Sequence, residues 1–186
     1  MRKIIVSEFI SFDGVVEEPR WTMKYWNDEI QQFKFDELFS VGALLLGRVT
    51  YEGFAQAWPN QLDEAGYGQR MNEMPKYVAS TTLSETEWNA QLLKGDAIDA
   101  IRDLKEQPGE DLLVFGSTTL ARTLLISGLV DEYNFVLYPI LLGSGKRLFE
   151  DETAPAGTGA ATGLTLIESK PTSSGAVILR YQVAPE

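Results

Sequence analysis

The sequence predicts an α/β fold with a mixed, mostly parallel sheet, helices on both faces and a C-terminal β-hairpin. Short apolar runs alternate along the chain with segments whose apolar residues recur at helical spacing, an order typical of parallel sheets covered by helices. The last two strand-like segments are joined by one short turn, which predicts an antiparallel pair. The chain contains no internal repeat and no interdomain linker, so we expect residues 1–186 to form one domain.

Each strand is predicted from an apolar or β-branched run that ends at turn residues. The predicted strands cover residues 4–10, 41–46, 76–80, 88–92, 112–115, 130–138, 164–168 and 176–183. The predicted helices cover residues 27–40 and 51–57, the segment from Gly95-Asp96 to Pro108-Gly109, and the segment from Gly116 to Gly128. Asn27 precedes two acidic residues and is therefore predicted to cap the first helix.

Two segments are predicted to lack regular structure. Residues 59–75 are polar and contain Gly and Pro, which indicates a surface excursion. Residues 151–163 are rich in Ala, Gly and Thr, which predicts a mobile loop.

Composition excludes several classes of function. The net charge of −11 opposes binding to nucleic acid or to anionic membranes. The chain contains no Cys and no His, so thiol nucleophiles, Ser–His–Asp catalysis and thiolate or imidazole metal sites are excluded, and we expect no metal. Proton transfer must therefore use carboxylates, Tyr, Lys or water.

The N-terminus gives the expected location of the protein. Its charged residues are followed by an apolar run that is too short for a signal peptide or a membrane span. We therefore expect a cytoplasmic protein.

Two predicted strand-to-helix junctions have the chemistry of a phosphate site. Gly47 follows one buried strand, and Arg48, Val49 and Thr50 lead into the next predicted helix. A helix start offers free N–H groups to an anion, and the planar guanidinium of Arg48 can hold a phosphate bidentately. The second junction contains a glycine and three hydroxyls, namely Gly116, Ser117, Thr118 and Thr119.

Ordinary helix capping is the alternative explanation for each junction, because Gly, Ser and Thr are common at helix starts. Neither junction has the Gly-x-Gly-x-x-Gly spacing of the dinucleotide fingerprint. A third cluster, at Ser80 and Thr81, could contact a ribose phosphate or form a simple turn.

No catalytic residue can be fixed from a motif. Asp13, Glu29 and Asp36 lie near elements that should border a cleft, so they are the candidate acids, although most of the 27 acidic residues are expected to be solvated. The aromatic residues Trp21, Trp26 and Trp58 are candidates for an aromatic pocket or for ordinary core packing.

Five ordered motifs resemble the dihydrofolate-reductase-like superfamily, and especially stand-alone relatives of the reductase domain of the bifunctional riboflavin-biosynthesis deaminase–reductase. The motifs occupy residues 11–14, 45–52, 77–81, 114–120 and 138–146. Relatives often have two adjacent glycines where this chain has Gly116-Ser117. The deaminase half is absent, because zinc deaminase chemistry needs His and Cys ligands.

The resemblance implies a dihydrofolate-reductase-like fold, NADPH as cofactor and a homodimer. The implied activity is reduction of a small pyrimidine- or pteridine-like heterocycle, as by 5-amino-6-(5-phosphoribosylamino)uracil reductase. The alternatives are dihydrofolate reductase or a non-catalytic nucleotide-binding sensor.

The resemblance also implies site residues. The cofactor would bind at Gly47, Arg48, Val49, Thr50, Ser80, Thr81, Gly116, Ser117, Thr118 and Thr119. The substrate side would include Asp13, Gly14, Trp26, Tyr138, Ser144 and Lys146.

Overall fold

Eight strands form a single sheet in the computed structural model, which describes residues 1–61, 63–149 and 162–184. The strands are β1 Ile4–Ser11, β2 Ala43–Gly47, β3 Lys76–Ala79, β4 Ala90–Leu92, β5 Leu112–Phe115, β6 Glu132–Tyr138, β7 Leu164–Pro171 and β8 Val177–Val183. The helices are α1 Asp28–Phe39, α2 Arg48–Ala57, α3 Tyr67–Glu73, α4 Ala97–Glu106 and α5 Thr118–Ile126, with a 3₁₀ helix at Pro19–Tyr25.

The sheet is mixed and mostly parallel, as predicted. Its strand order is β4-β3-β2-β5-β1-β6-β8-β7. The six strands from β4 to β6 are parallel to one another, whereas β8 is antiparallel to both β6 and β7. The predicted C-terminal hairpin is therefore confirmed, and it extends the sheet beyond its parallel part.

Burial on both faces explains why the central strands are continuously apolar. In β2, Leu45 belongs to the core beneath α4 and α5, whereas Leu44 and Leu46 belong to the core beneath α1, α2 and α3. Successive side chains of a strand point to opposite faces, so a strand covered on both sides has no solvent-facing position. The prediction of helices on both faces is confirmed.

Local capping explains where two of the helices begin. The Asn27 side chain accepts a hydrogen bond from the Ile30 N–H at 3.0 Å, which confirms the predicted cap of α1. Asp96 accepts hydrogen bonds from the N–H groups of Ile98 and Asp99 at the start of α4. Each cap satisfies helix donors that have no partner within the helix.

The sequence-based interpretation was wrong in one segment and incomplete in another. Residues 59–75 contain α3, whose Met71 is fully buried, so the segment is more than a surface excursion. The 3₁₀ helix Pro19–Tyr25 was not predicted. Both elements are short and weakly periodic, so packing against the sheet rather than local propensity defines them. The loop predicted at residues 151–163 lies largely outside the described residues.

Within the described ranges, no helix combines the length and apolar character needed to cross a bilayer.

Arg180 of β8 ties the closing hairpin to a buried carboxylate, which gives a prediction about stability. Its guanidinium donates to Glu132 at 2.7 Å, and only 5% of the Glu132 side chain is exposed. Arg180→Met leaves only the longer ion pair with Lys3, at 3.8 Å, to compensate that buried charge among the described residues, and should lower the free energy of unfolding by about 2 kcal/mol in urea titrations.

Arg102→Met is the matched control for Arg180→Met. Its partner Asp99 is 73% exposed, so this ion pair should contribute less than about 1 kcal/mol. Equal losses of stability in the two variants would contradict the importance of burial at Glu132.

Candidate functional site

A large cavity lies at the carboxyl ends of the parallel strands. Its volume is about 1630 Å³, and it is lined by residues at the ends of β2, β3 and β5 and by residues 7–9 within β1. Pockets for one small ligand commonly measure about 300–1,000 Å³, so this cavity has room for a larger ligand or for two molecules. Open α/β sheets commonly bind ligands at this edge.

The two predicted strand-to-helix junctions lie side by side in this cavity. β2 and β5 are neighbouring parallel strands, with Leu45 opposite Val114, so both chains reach the sheet edge together. A Cβ atom placed on Gly47 would lie 2.1 Å from the Ser117 Oγ, so glycine at position 47 allows the close approach of the two junctions without a change in the Ser117 side chain.

Gly116 and Ser117 both adopt the left-handed backbone conformation, with φ of 60° and 66°. Ser117 occupies the position at which the family resemblance leads us to expect a second glycine. A non-glycine residue in this conformation costs on the order of 1 kcal/mol, and such residues concentrate at functional sites. The turn therefore keeps the geometry that a glycine pair would favour.

One half of the cavity is lined mainly by hydroxyls and helix starts, and we call it the hydroxyl-rich half. It comprises residues 47–50, 79–82, 95–98, 116–120 and Thr123. The first turns of α2 and α5 lie in this set and have no side-chain cap, so their free backbone N–H groups accompany the hydroxyls. This combination can bind phosphate groups without a large positive charge.

Arg48 is the cation of the hydroxyl-rich half. It opens α2, and its guanidinium donates to the Glu52 carboxylate at 2.9 Å. Both side chains are more than two-fifths exposed, so this pair is weak and can exchange for a stronger anionic partner.

The other half of the cavity, which we call the aromatic half, is lined by Phe9, Trp26, Phe35, Phe54, Trp58, Tyr67 and Phe115, together with Lys34. Several of these rings contact one another edge-on or tilted, with 5.6 Å between the centroids of Trp58 and Tyr67. Such a wall favours a flat, conjugated ligand.

A buried group of charges lies where the two halves meet. The Lys34 ammonium of α1 donates to the Ser7 Oγ at 2.7 Å and to the Glu37 carboxylate. Glu37 also accepts from the Ser7 hydroxyl at 2.9 Å and from the Asn134 amide at 2.8 Å. Lys34 also lies 4.0 Å from the centre of the Phe115 ring. Burial lowers the pKa of Lys34, although the attraction of Glu37 opposes that shift.

Glu8 lines the cavity beside this group and is only 6% exposed. Its Oε1 atom has no hydrogen-bond partner among the described residues. Burial raises the pKa of Glu8 from its ordinary value near 4.5 to about 8, against the opposing attraction of Lys34. A carboxyl group in this environment is therefore mostly protonated at pH 7.

The structure brings all ten predicted cofactor residues into the hydroxyl-rich half. Of the predicted substrate-side residues, Trp26 and Lys146 line the same cavity, and Lys146 forms an ion pair with Glu17 at 3.4 Å. These positions agree with the predicted roles, which stay predictions. Trp58 also lines the cavity, at the position suggested for an aromatic pocket.

The three candidate acids do not line the cavity. Asp13 accepts hydrogen bonds from the Ser11 hydroxyl and from the N–H groups of Leu142 and Gly143, which lower its pKa to about 2. Glu29 accepts from the backbone and hydroxyl of Ser173, which lowers its pKa. Asp36 is exposed.

The remaining substrate-side candidates also lie outside the cavity lining. Gly14 forms part of the turn after β1, and Ser144 is exposed on the loop that Asp13 anchors. Tyr138 is fully buried and packs against Phe9 and Trp21.

The sequence reasoning missed Glu8 and Lys34. A signal was present, because Glu8 interrupts an apolar strand and Lys34 falls on the apolar stripe of α1 between Ile30 and Leu38. A charged residue at a core position is rarely buried unless it is paired or functional.

Comparison with known proteins identifies the family. A profile of the RibD C-terminal domain matches residues 2–178. The chain belongs to the RibD C-terminal domain family. Among its relatives, the uncharacterized protein YyaP of Bacillus subtilis is 27% identical over 183 residues, covering 97% of this chain and 94% of YyaP.

Solved structures agree with membership of the RibD C-terminal domain family. A putative riboflavin biosynthesis protein from Shewanella sp. PV-4 is 25% identical, with a TM-score of 0.76 and coverage of 98% of this chain and 99% of that one. Dihydrofolate reductase from Enterococcus faecalis, solved with NADP(H), has a TM-score of 0.63 at 11% identity, covering 98% and 97%. The fold is thus dihydrofolate-reductase-like, and the family supports an oxidoreductase of the riboflavin-pathway type.

The protonation of Glu8 gives a prediction about stability and pH. Its pKa is raised in the folded RibD-family chain to about 8, so the unfolded chain releases this proton near pH 4.5 while the folded chain keeps it. The contribution of Glu8 to stability is therefore complete below pH 4.5 and falls as the pH rises towards 8, by at most about 1.4 kcal/mol per unit.

Glu8→Gln should remove this loss, so its stability relative to the wild type should rise between pH 4.5 and 8 in urea titrations. The control is Glu106→Gln, an exposed position at the end of α4, whose curve should run parallel to the wild type. Parallel curves for Glu8→Gln and the wild type would show that Glu8 is already ionised.

Proposed function

We propose that this protein is an NADPH-dependent reductase that acts on a small pyrimidine- or pteridine-like heterocycle. The observation that carries the proposal is one cavity with two chemically different halves, one suited to phosphates and the other to a flat ring. Membership of the RibD C-terminal domain family supports the reductase class. The structural similarity to a dihydrofolate reductase solved with NADP(H) supports the choice of cofactor.

The hydroxyl-rich half would hold the cofactor phosphates. The helix starts at Arg48 and Thr118 point free N–H groups at the same region, and the left-handed turn at Ser117 exposes the backbone before α5. Arg48, with Ser80 and Thr81, would bind the 2′-phosphate that distinguishes NADPH from NADH. The residues of the hydroxyl-rich half would thus bind the cofactor and orient it.

The aromatic half would hold the acceptor against the nicotinamide. When bound, NADPH supplies the hydride, so the main work of this chain is to position two flat rings and to exclude water between them. Phe9, Trp26 and Phe115 line this half, and Phe115 directly precedes Gly116 of the hydroxyl-rich half. Stacking on such side chains tolerates different heterocycles, and for this reason the proposal names a class of substrate.

Dihydrofolate reduction is the less supported alternative. The described residues of α1 that line the cavity are Gln31, Lys34 and Phe35, and none of them is a carboxylate. The candidate acids on this helix, Glu29 and Asp36, lie outside the cavity lining. A pteridine bound through an α1 carboxylate therefore has no matching partner here.

Arg48 provides the test of cofactor choice. Arg48→Ala should weaken NADPH binding by about 10- to 100-fold, because a charge-assisted contact to phosphate contributes about 1.5–3 kcal/mol. NADH binding should change little, because NADH lacks the 2′-phosphate. Calorimetric titration of both cofactors measures the difference.

Glu52→Gln is the matched variant with the opposite expected sign. Glu52 holds the Arg48 guanidinium at 2.9 Å in the free protein, so its removal should free Arg48 and tighten NADPH binding selectively. Equal changes for NADPH and NADH in both variants would remove Arg48 from the 2′-phosphate site.

Turnover distinguishes the reductase from a nucleotide-binding sensor with the same fold. The reductase should consume NADPH steadily with at least one acceptor from a panel of aminouracils, with and without the phosphoribosyl group, pterins and flavin-like compounds. A sensor would bind NADPH and raise the unfolding temperature without turnover, since a ligand at 100 times its Kd stabilises the folded state by about 2.7 kcal/mol. Absence of both effects would leave a scaffold without a nucleotide site.

The homodimer implied by the family resemblance belongs to this proposal as well. The hairpin strand β7 exposes Leu164, Leu166 and Ile167, each by two-fifths or more. A second copy of the chain would cover such an apolar edge.

A further inference from the structure

Glu8 is paired with a neighbouring strand on only one side of β1. On one side β1 continues to pair with β6, and Glu8 lies opposite Phe135. On the other side the last pair between β1 and β5 is Ser7 with Phe115, so β5 has ended before Glu8 is reached. Glu8 is the first residue of β1 after the last pair with β5, and it lines the cavity there.

The surroundings of Glu8 leave its carboxyl group without a structural partner. In the sheet Glu8 lies opposite the apolar Phe135 of β6, whereas Phe115 of β5 pairs with the preceding residue, Ser7. The Lys34 ammonium of α1 attracts the Glu8 carboxylate electrostatically, but its hydrogen bonds go to Ser7 and Glu37. The Oε1 atom accepts no hydrogen bond from the described residues, although it is fully enclosed. A buried polar atom of this kind is costly, so a ligand in the cavity is its natural partner.

The other acids of the cavity differ from Glu8 in their exposure. Among the described residues that line it, Glu18, Asp63, Glu64 and Asp96 are all exposed, and Glu17 is half-buried and paired with Lys146. Asp63 and Asp96 accept backbone hydrogen bonds at helix starts. Glu8 is therefore the acid that combines burial, an unpartnered oxygen and a place between the two halves.

We propose that Glu8 is the proton donor of the reduction, and that it gives its carboxyl proton to the ring or imine nitrogen of the acceptor. This inference rests on the proposed reductase function. It assigns the acceptor to compounds with a conjugated C=N bond, whose nitrogen can reach into the gap beside β5. Lys34 is a positioning residue, because its positive charge stabilises the Glu8 carboxylate that remains after the proton transfer.

The step balances without a further reactant. The acceptor carbon forms a C–H bond with the hydride that NADPH supplies, and the π pair of the C=N bond moves to nitrogen. Nitrogen then forms an N–H bond as the O–H bond of Glu8 breaks. The acceptor is reduced by two electrons, NADPH is oxidised to NADP⁺, and Glu8 is left as a carboxylate that water reprotonates. Placing the donor within hydrogen-bond reach of the nitrogen is the geometric requirement.

The test is the pH dependence of turnover for the full-length wild type, Glu8→Gln and Glu8→Asp. The acceptor should be one that supports NADPH consumption and does not itself titrate between pH 6 and 10. Wild-type kcat should be high at low pH and fall as the pH rises through about 8, because the protonated acid is the active form. Glu8→Gln should lower kcat by about 100-fold or more and abolish this fall, since positioned acids contribute about 10²–10⁴-fold.

In Glu8→Asp, kcat should be lower than in the wild type but should still fall with rising pH. The variant keeps a carboxylic acid, but the shorter side chain places it one methylene farther from the acceptor. The exposed control Glu106→Gln should match the wild type in rate and profile. NADPH affinity, measured by titration, should stay within about threefold in Glu8→Gln, which separates loss of proton transfer from loss of the fold or of the cofactor site.

Two failures are distinguishable. If the wild type consumes NADPH and Glu8→Gln keeps its rate and pH profile, Glu8 is not the donor and the reductase function stands. If the wild type turns over no C=N acceptor while it binds NADPH, both the inference and the proposed function are wrong. A Glu8→Gln variant whose kcat is lowered but still falls with rising pH as in the wild type would also overturn the assignment.

Discussion

The close parallel approach of β2 and β5 is the constraint on which the ligand side of this protein depends. The register that sets Leu45 opposite Val114 brings both strand ends to the same height, so the helices that follow begin beside each other. Gly47 has no side chain where a Cβ would strike Ser117, so the two backbones can approach. Widening this contact would separate Arg48 from the second junction and divide the hydroxyl-rich half.

A second constraint acts one strand further along the sheet. β5 ends at the level of Ser7, so β1 continues alone on that side and leaves Glu8 facing the cavity. Two negative charges and one positive charge would be costly in such an enclosed place. Burial raises the pKa of Glu8, and the attraction of Lys34, which is also paired with Glu37, opposes that shift without cancelling it. Packing and protonation are therefore coupled here.

The parts of the site that sequence analysis located are those with a local origin. Gly47, Arg48 and the run from Gly116 to Thr119 are found by reading along one strand end and one helix start. The candidate acids were harder to judge, because Asp13 and Glu29 look the same in sequence whether they face a ligand or anchor a loop. Only the positions of Gly143 and Ser173 reveal that both carboxylates are engaged in loop contacts.

The sequence by itself determined the alternation of strands and helices, the cap at Asn27, and the absence of thiol and imidazole chemistry. These features depend on periodicity, on short-range hydrogen bonds and on composition, all of which are visible within a few residues. The tertiary structure decided which strand ends share a cavity and which acid is buried in it. The environment of Glu8 is assembled from β1, α1, β5 and β6, so its protonation depends on neighbours up to 127 positions away in the chain.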